Sequence, residues 1–218
     1  MIVRHLGLRR AVVRTARALD AAGLNRGTAG NVAVRVRGGL LVTPTGVPAQ
    51  RLTPDSIVAL DEAGAVVEGR FAPSSEWRIH RDVLAARPEV GAVVHAHPLF
   101  ASALACQGLD IPSFHYMVAV AGGPSIRCAR YATFGTPALS SAVLAALSGR
   151  RACLMAHHGI VATGADLDAA QRLAIEVETL AAQYWHVLLL GRPKLLGRAE
   201  MARVLAKFAT YGQPRARR

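Results

Sequence analysis

The chain has 218 residues, 52% of them hydrophobic and 18% charged, which supports one domain with a real core and excludes a disordered chain. No apolar run reaches the roughly 18–20 residues that cross a bilayer, no secretory leader is legible at 1–6, and Cys106, Cys128 and Cys153 are too few and too scattered for a disulfide framework. The net charge of +12 is almost all arginine and is spread along the chain, so it attracts anions without the zinc-finger or aromatic pattern of a nucleic-acid reader.

In chain order, apolar residues Leu6, Val12, Val13, Ala16 and Leu19 recur at helical spacing and predict a helix over 4–22 stopped by Gly23. Short strands are expected at 31–36 and 40–43 around the turn Gly38-Gly39, and a hairpin at 57–60 and 66–67. Pro73-Ser74-Ser75-Glu76 opens a helix reaching about residue 86, with a serine available as N-cap. A buried strand at 90–97 precedes a helix at 101–106, a strand at 126–129, a helix at 137–147 and a strand at 152–156. Helices at 166–190 and 199–208 complete the pattern. Helices flanking short, hairpin-connected strands predict an α/β sandwich with a largely antiparallel sheet. One domain over 1–212 is expected, followed by a basic tail at 213–218.

The chemistry concentrates on histidines. His95-Ala96-His97 ends an apolar strand, and residues two apart on a strand face the same side, which makes half of a metal site. The other half is expected from His157-His158-Gly159. Adjacent strand residues face opposite ways, so His158 is assigned to the metal and His157 to a hydrogen bond in the core, with Gly159 letting the backbone turn. Three neutral imidazoles suit zinc and leave positions open for substrate. Glu76 is either an ordinary first-turn acid or a carboxylate near that metal, where it is ligand, base or both in turn. Flanking Ser74 and Ser75, and the loops 27–31 and 43–46, are small and polar enough to hold an anion. No Walker loop or dinucleotide fingerprint is present, so a nucleotide cofactor is unsupported.

Taken in order, residues 23–32, Thr43-Pro44-Thr45-Gly46, Pro73-Ser74-Ser75-Glu76-Trp77, Val93-Val94-His95-Ala96-His97, His115-Tyr116-Met117, residues 131–136 and His157-His158-Gly159 resemble the class II aldolase/adducin family. The resemblance implies a three-layer α/β/α fold and a homotetramer with active sites between subunits, while the scattered cysteines fit reduced thiols in a cytoplasm. It implies Zn2+ held by His95, His97 and His158, with Glu76 as fourth ligand and then as base. Thr28, Gly30, Asn31, Thr45, Gly46, Ser74 and Ser75 match the phosphate pocket. Tyr116 matches a proton donor reaching a neighbouring site, and Phe134 and Tyr211 match residues on the aldehyde side.

The implied reaction is cleavage of a phosphorylated sugar, L-fuculose 1-phosphate or a related ketose 1-phosphate, to dihydroxyacetone phosphate and a small aldehyde such as L-lactaldehyde. Relatives use the same metal site as dehydratases, decarboxylases or pentulose-phosphate 4-epimerases, and the adducin branch keeps the fold as a non-catalytic interaction module. His115-Tyr116-Met117 followed by Ala121-Gly122-Gly123 favours the aldolases over the epimerases. The retained histidines speak against the module. No membrane or nucleic-acid partner is expected.

Overall fold

The computed structural model describes residues 5–208; Tyr211 and the basic tail lie outside them. Helix α1 (Leu6–Ala21) leads to strands β1 (Asn31–Val36), β2 (Gly39–Val42), β3 (Val58–Asp61) and β4 (Val66–Glu68). Then follow α2 (Trp77–Ala86), β5 (Ala92–Ala96), α3 (Leu99–Cys106), β6 (Arg127–Ala129) and α4 (Pro137–Ala146). The chain continues through β7 (Ala152–Met155), β8 (Gly159–Gly164), α5 (Leu167–Leu189) and α6 (Arg198–Phe208).

The eight strands form one sheet in the order β4-β3-β2-β1-β5-β8-β7-β6. Every neighbouring pair is antiparallel except β6 with β7. Alternation along each strand divides the side chains between two cores. Val32, Val34, Leu41, Val94 and Ile160 pack against α1, α3 and α5 on one face. Ala33, Leu40, Val42, Val93 and Val161 pack against α2 and α4 on the other. Two cores on opposite faces of one sheet give the expected three-layer α/β/α sandwich. No described helix is long and apolar enough to cross a membrane.

Element boundaries differ from the sequence reading by a few residues, and three expectations need correction. Strand β8 was not anticipated, although Ile160-Val161-Ala162 between two glycines is a short buried-strand pattern. Helix α2 has no serine N-cap. Glu76 itself occupies that position with no capping hydrogen bond from its side chain, because the carboxylate is used elsewhere. Ser74 instead takes the Glu76 N–H on its hydroxyl at 3.2 Å. The third correction concerns His157 and His158, which do not sit on a strand. They occupy the turn between β7 and β8, so strand alternation does not separate them. His157 is exposed rather than bonded in the core, and with φ 55° it supplies the left-handed residue of the turn that Gly159 was expected to supply. Gly159 is needed for a different reason: a Cβ there would stand 2.3 Å from the Ala96 carbonyl oxygen.

Register then sets the site. Asn31 of β1 lies opposite His95 of β5, and Ala96 of β5 opposite Ile160 of β8. The start of β1, the end of β5, the start of β8 and the loop before α2 therefore meet at one end of the sheet.

Candidate active site

Glu76, His95, His97 and His158 each offer one donor atom, and these atoms all lie within 4.8 Å of one another. His95 and His97 point the same way from the end of β5, as their spacing predicts. The β7–β8 turn brings His158 across, and the helix start brings Glu76. The three imidazoles stand edge to face around a common point, with centroid separations of 4.7–4.8 Å.

The hydrogen-bonding pattern bears on whether a cation fits between them. His95 is fully buried, and its Nδ1 donates to the Ile160 carbonyl at 2.8 Å. That bond fixes the neutral tautomer, leaving Nε2 as a bare lone pair. Yet Nε2 faces His97 Nε2 at 2.8 Å and Glu76 Oε2 at 2.9 Å. Glu76 Oε1 is buried, lies 3.2 Å from His158 Nε2, and has no hydrogen bond among the described residues. Acceptors converging on one point, one of them a buried unpaired carboxylate oxygen, are the arrangement of a divalent cation site with positions open on the solvent side. Without the ion, protons must mediate. Burial works against the Glu76 charge, but His95, then His158 and Asn31, hold its carboxyl below the usual range. Burial would lower His95, but Glu76 raises it. Burial and then the neighbouring rings push His97 down to about 4 and lower His158, so both rings are neutral at neutral pH.

The donors open into a cleft of about 330 Å³. Thr28, Gly30, Asn31, Thr45, Gly46, Ser74, Ser75, Glu76 and Phe134 all line it, together with His97 and His158, so most of the residues singled out in the sequence are brought together. The polar wall is neutral hydroxyl, amide and backbone, with no arginine or lysine among the described residues. Tyr131 and Phe134, 63% and 64% exposed, line the same cleft. Tyr116 does not join them. It lies half exposed in the 3-10 turn 116–121, its ring stacked over Phe208 at 6.4 Å.

Three supporting residues carried no sequence signal of their own. Asn25 accepts the His97 N–H on Oδ1 at 3.1 Å. Glu178, on α5, accepts the N–H groups of Phe100 and Ala101 at 2.9 and 2.8 Å and so caps α3, which begins just after His97. His80, fully buried on α2, bonds through Nε2 to Asn31 Oδ1, while Asn31 Nδ2 donates to Glu76 Oε2 at 3.1 Å. Burial, reinforced by His95, pushes His80 down to about 3, so it is neutral.

Comparison with known proteins bears on this geometry. The family model described as Class II Aldolase and Adducin N-terminal domain matches residues 10–185. A 5-methylthioribulose-1-phosphate/5-deoxyribulose-1-phosphate aldolase of Rhodospirillum rubrum is 55% identical over 208 residues, covering 95% of this chain and 94% of that protein. An L-fuculose phosphate aldolase of Escherichia coli K12 is 47% identical over 206 residues, covering 94% and 95%. A solved L-fuculose 1-phosphate aldolase superposes with a TM-score of 0.90 at 36% identity, covering 93% of this chain and 96% of that one.

Proposed function

The chain belongs to the class II aldolase and adducin family and is a class II aldolase, and from that premise we propose that it cleaves ketose 1-phosphates between C3 and C4. The products are dihydroxyacetone phosphate and a short aldehyde. The observation that carries this reading is the convergence of Glu76, His95, His97 and His158 beside a cleft lined by neutral polar groups and by the rings of Tyr131 and Phe134.

His95, His97, His158 and Glu76 would hold a divalent metal, for which we favour Zn2+ because three neutral imidazoles suit it. Bound there, the metal supplies Lewis-acid stabilisation of the negative charge that the ketose oxygens gain as the carbon–carbon bond breaks. The polar wall of Thr28, Gly30, Asn31, Thr45, Gly46, Ser74 and Ser75 receives the phosphate through hydroxyls and amides, which fixes the reacting carbons beside the histidines. When the C3–C4 bond breaks, the C4 hydroxyl gives up its proton and becomes the aldehyde, and the electron pair stays on C3. Glu76 delivers a proton to C3. Tyr116 does not line its own cleft, so we assign the proton at the aldehyde oxygen to Tyr116 of the partner subunit, in a homotetramer with sites between subunits. Phe134 borders the aldehyde end, with Tyr211 assigned to the same side.

The relatives are named for L-fuculose phosphate, 5-deoxyribulose 1-phosphate and 5-methylthioribulose 1-phosphate. Cleavage of each between C3 and C4 leaves an aldehyde ending in a methyl group, as lactaldehyde, acetaldehyde or a methylthio aldehyde. An exposed aromatic wall suits such an end better than a hydroxymethyl one. Purified protein should be analysed for bound metal and assayed for dihydroxyacetone phosphate release from all three, beside L-ribulose 1-phosphate and a Glu76→Gln control. Release that depends on the metal, falls sharply with Glu76→Gln and favours the deoxy and methylthio sugars is expected. A metal-loaded protein releasing nothing from any of them would overturn the reading.

A further inference from the structure

Glu76 has two chemically different oxygens. Oε2 is held by Asn31 Nδ2 at 3.1 Å and faces His95 Nε2 at 2.9 Å, whereas Oε1 is buried without a hydrogen bond among the described residues. Asn31 reaches Oε2 because it sits directly across from His95 in the β1–β5 ladder, on the sheet face covered by α2. From that face His80 meets the other end of the same amide. Glu76 and His80 are four residues apart, one helical turn, so both flank Asn31 from a single rigid element.

The amide could be turned either way, and the chemistry at its two ends selects one orientation. A carboxylate only accepts, so the amide must offer NH2 to Glu76 and its carbonyl oxygen to His80. His80 must then donate from Nε2, which leaves Nδ1 bare; that atom is buried and has no partner among the described residues. In the flipped orientation a carbonyl oxygen would face the carboxylate at about 3 Å, acceptor against acceptor, and the two would repel. His80 therefore has a donor committed to Asn31 and no competing use for it.

We infer that His80 is a positioning residue for the reaction, acting through Asn31 to tie down Oε2 of Glu76 and leave Oε1 as the oxygen that carries the proton. This rests on the reading of Glu76 as the base given above. An oxygen anchored by an amide keeps the carboxylate in plane and near the histidines while the other oxygen stays unsolvated and basic. The amide keeps its second N–H for the cleft, so Asn31 retains a donor for the phosphate.

The test compares His80→Gln, whose Nε2 reaches where the imidazole Nε2 stands, with His80→Asn, whose amide stops short of Asn31, and with His80→Phe, which has no donor. Outer-shell partners of this kind change activity or metal affinity roughly 10–100-fold. His80→Phe and His80→Asn should lower kcat by that range with KM within about twofold, and His80→Gln should recover most of it. Asn31→Leu should abolish the dependence, so that adding His80→Phe to it lowers kcat no further. In cobalt(II)-substituted protein without substrate, the visible spectrum should shift in His80→Phe and His80→Asn and return in His80→Gln. Cooperative melting checks the fold of each variant, and the Asn and Gln pair carries the comparison if His80→Phe does not fold. Wild-type kcat and an unshifted spectrum in His80→Asn would overturn the inference, as would losses at His80 and Asn31 that simply add. If wild type cleaves no ketose phosphate while the spectrum still shifts, the proposed reaction fails and the coupling to Glu76 stands.

Discussion

Substitution of Gly30 by alanine should damage the metal site from outside it. Gly30 has φ +74°, and a Cβ built there would stand 2.3 Å from Asn25 Oδ1, the oxygen that accepts the His97 N–H at 3.1 Å. Two effects add. A left-handed alanine costs about 1–2 kcal/mol. Pushing the Asn25 amide aside leaves the His97 N–H short of its acceptor, and losing this part-buried bond costs about 0.5–1.5 kcal/mol. The expected loss is therefore roughly 1.5–3.5 kcal/mol. Gly38 is the control: its φ is +78°, but an added Cβ meets nothing within 4 Å, so Gly38→Ala should lose only the backbone part, about 1–2 kcal/mol. Urea denaturation of the metal-free proteins measures both, and chelator competition measures metal affinity. Gly30→Ala should bind metal several-fold more weakly and Gly38→Ala as wild type. Placing Gly30→Ala in an Asn25→Ala background should remove the steric part. Equal stability losses at the two glycines, with metal affinity untouched in both, would refute the reasoning.

Acid should destabilise the metal-free protein through His80. Its folded pKa of about 3 lies below the ordinary 6.5, so stability present above pH 6.5 falls toward pH 3, by at most about 1.4 kcal/mol per unit, and His80→Phe should flatten that slope in thermal melts. Glu178→Ala leaves the N–H groups of Phe100 and Ala101 without their acceptor and should cost about 1–3 kcal/mol in urea, whereas Glu178→Gln, which keeps one acceptor oxygen, should lose less. Phe134→Ala, at a ring 64% exposed, should leave stability within about 0.5 kcal/mol while lowering kcat/KM for the methyl-ended sugars. Adding Zn2+ at about a hundred times its dissociation constant should raise the unfolding free energy by about 2.7 kcal/mol, lost again on chelation.

Much of this architecture is written in periodicity. The apolar runs of β1 and β5 and the 3.6-residue stripe of α5 mark buried residues, and the His-x-His pair follows from strand geometry alone. What escaped has a physical reason. His158 was assigned to the site, but the turn at His157 that delivers it was not seen, because a left-handed histidine has no sequence signature comparable to that of glycine. His80 and Asn25 are single polar residues whose partners lie 49 and 72 positions away, so no local pattern distinguishes them from surface residues. Asn31 was legible as part of a polar loop, but its pairing across the sheet with His95 became visible only with the register.

The ring of donors also says when, during folding, an ion can matter. His95 is tied to the carbonyl of Ile160 across 65 residues of chain, and Asn31 to Glu76 across 45. Such distant pairings are the slow part of assembling an antiparallel sheet. The four donors span residues 76–158 and meet only when β5 has paired with β8, so a growing or refolding polypeptide passes its hardest step before it can hold metal. An ion that arrives after the barrier leaves the folding rate almost unchanged and shows itself in how slowly the finished protein comes apart. Metal supply would then govern the lifetime of the folded enzyme more than its birth.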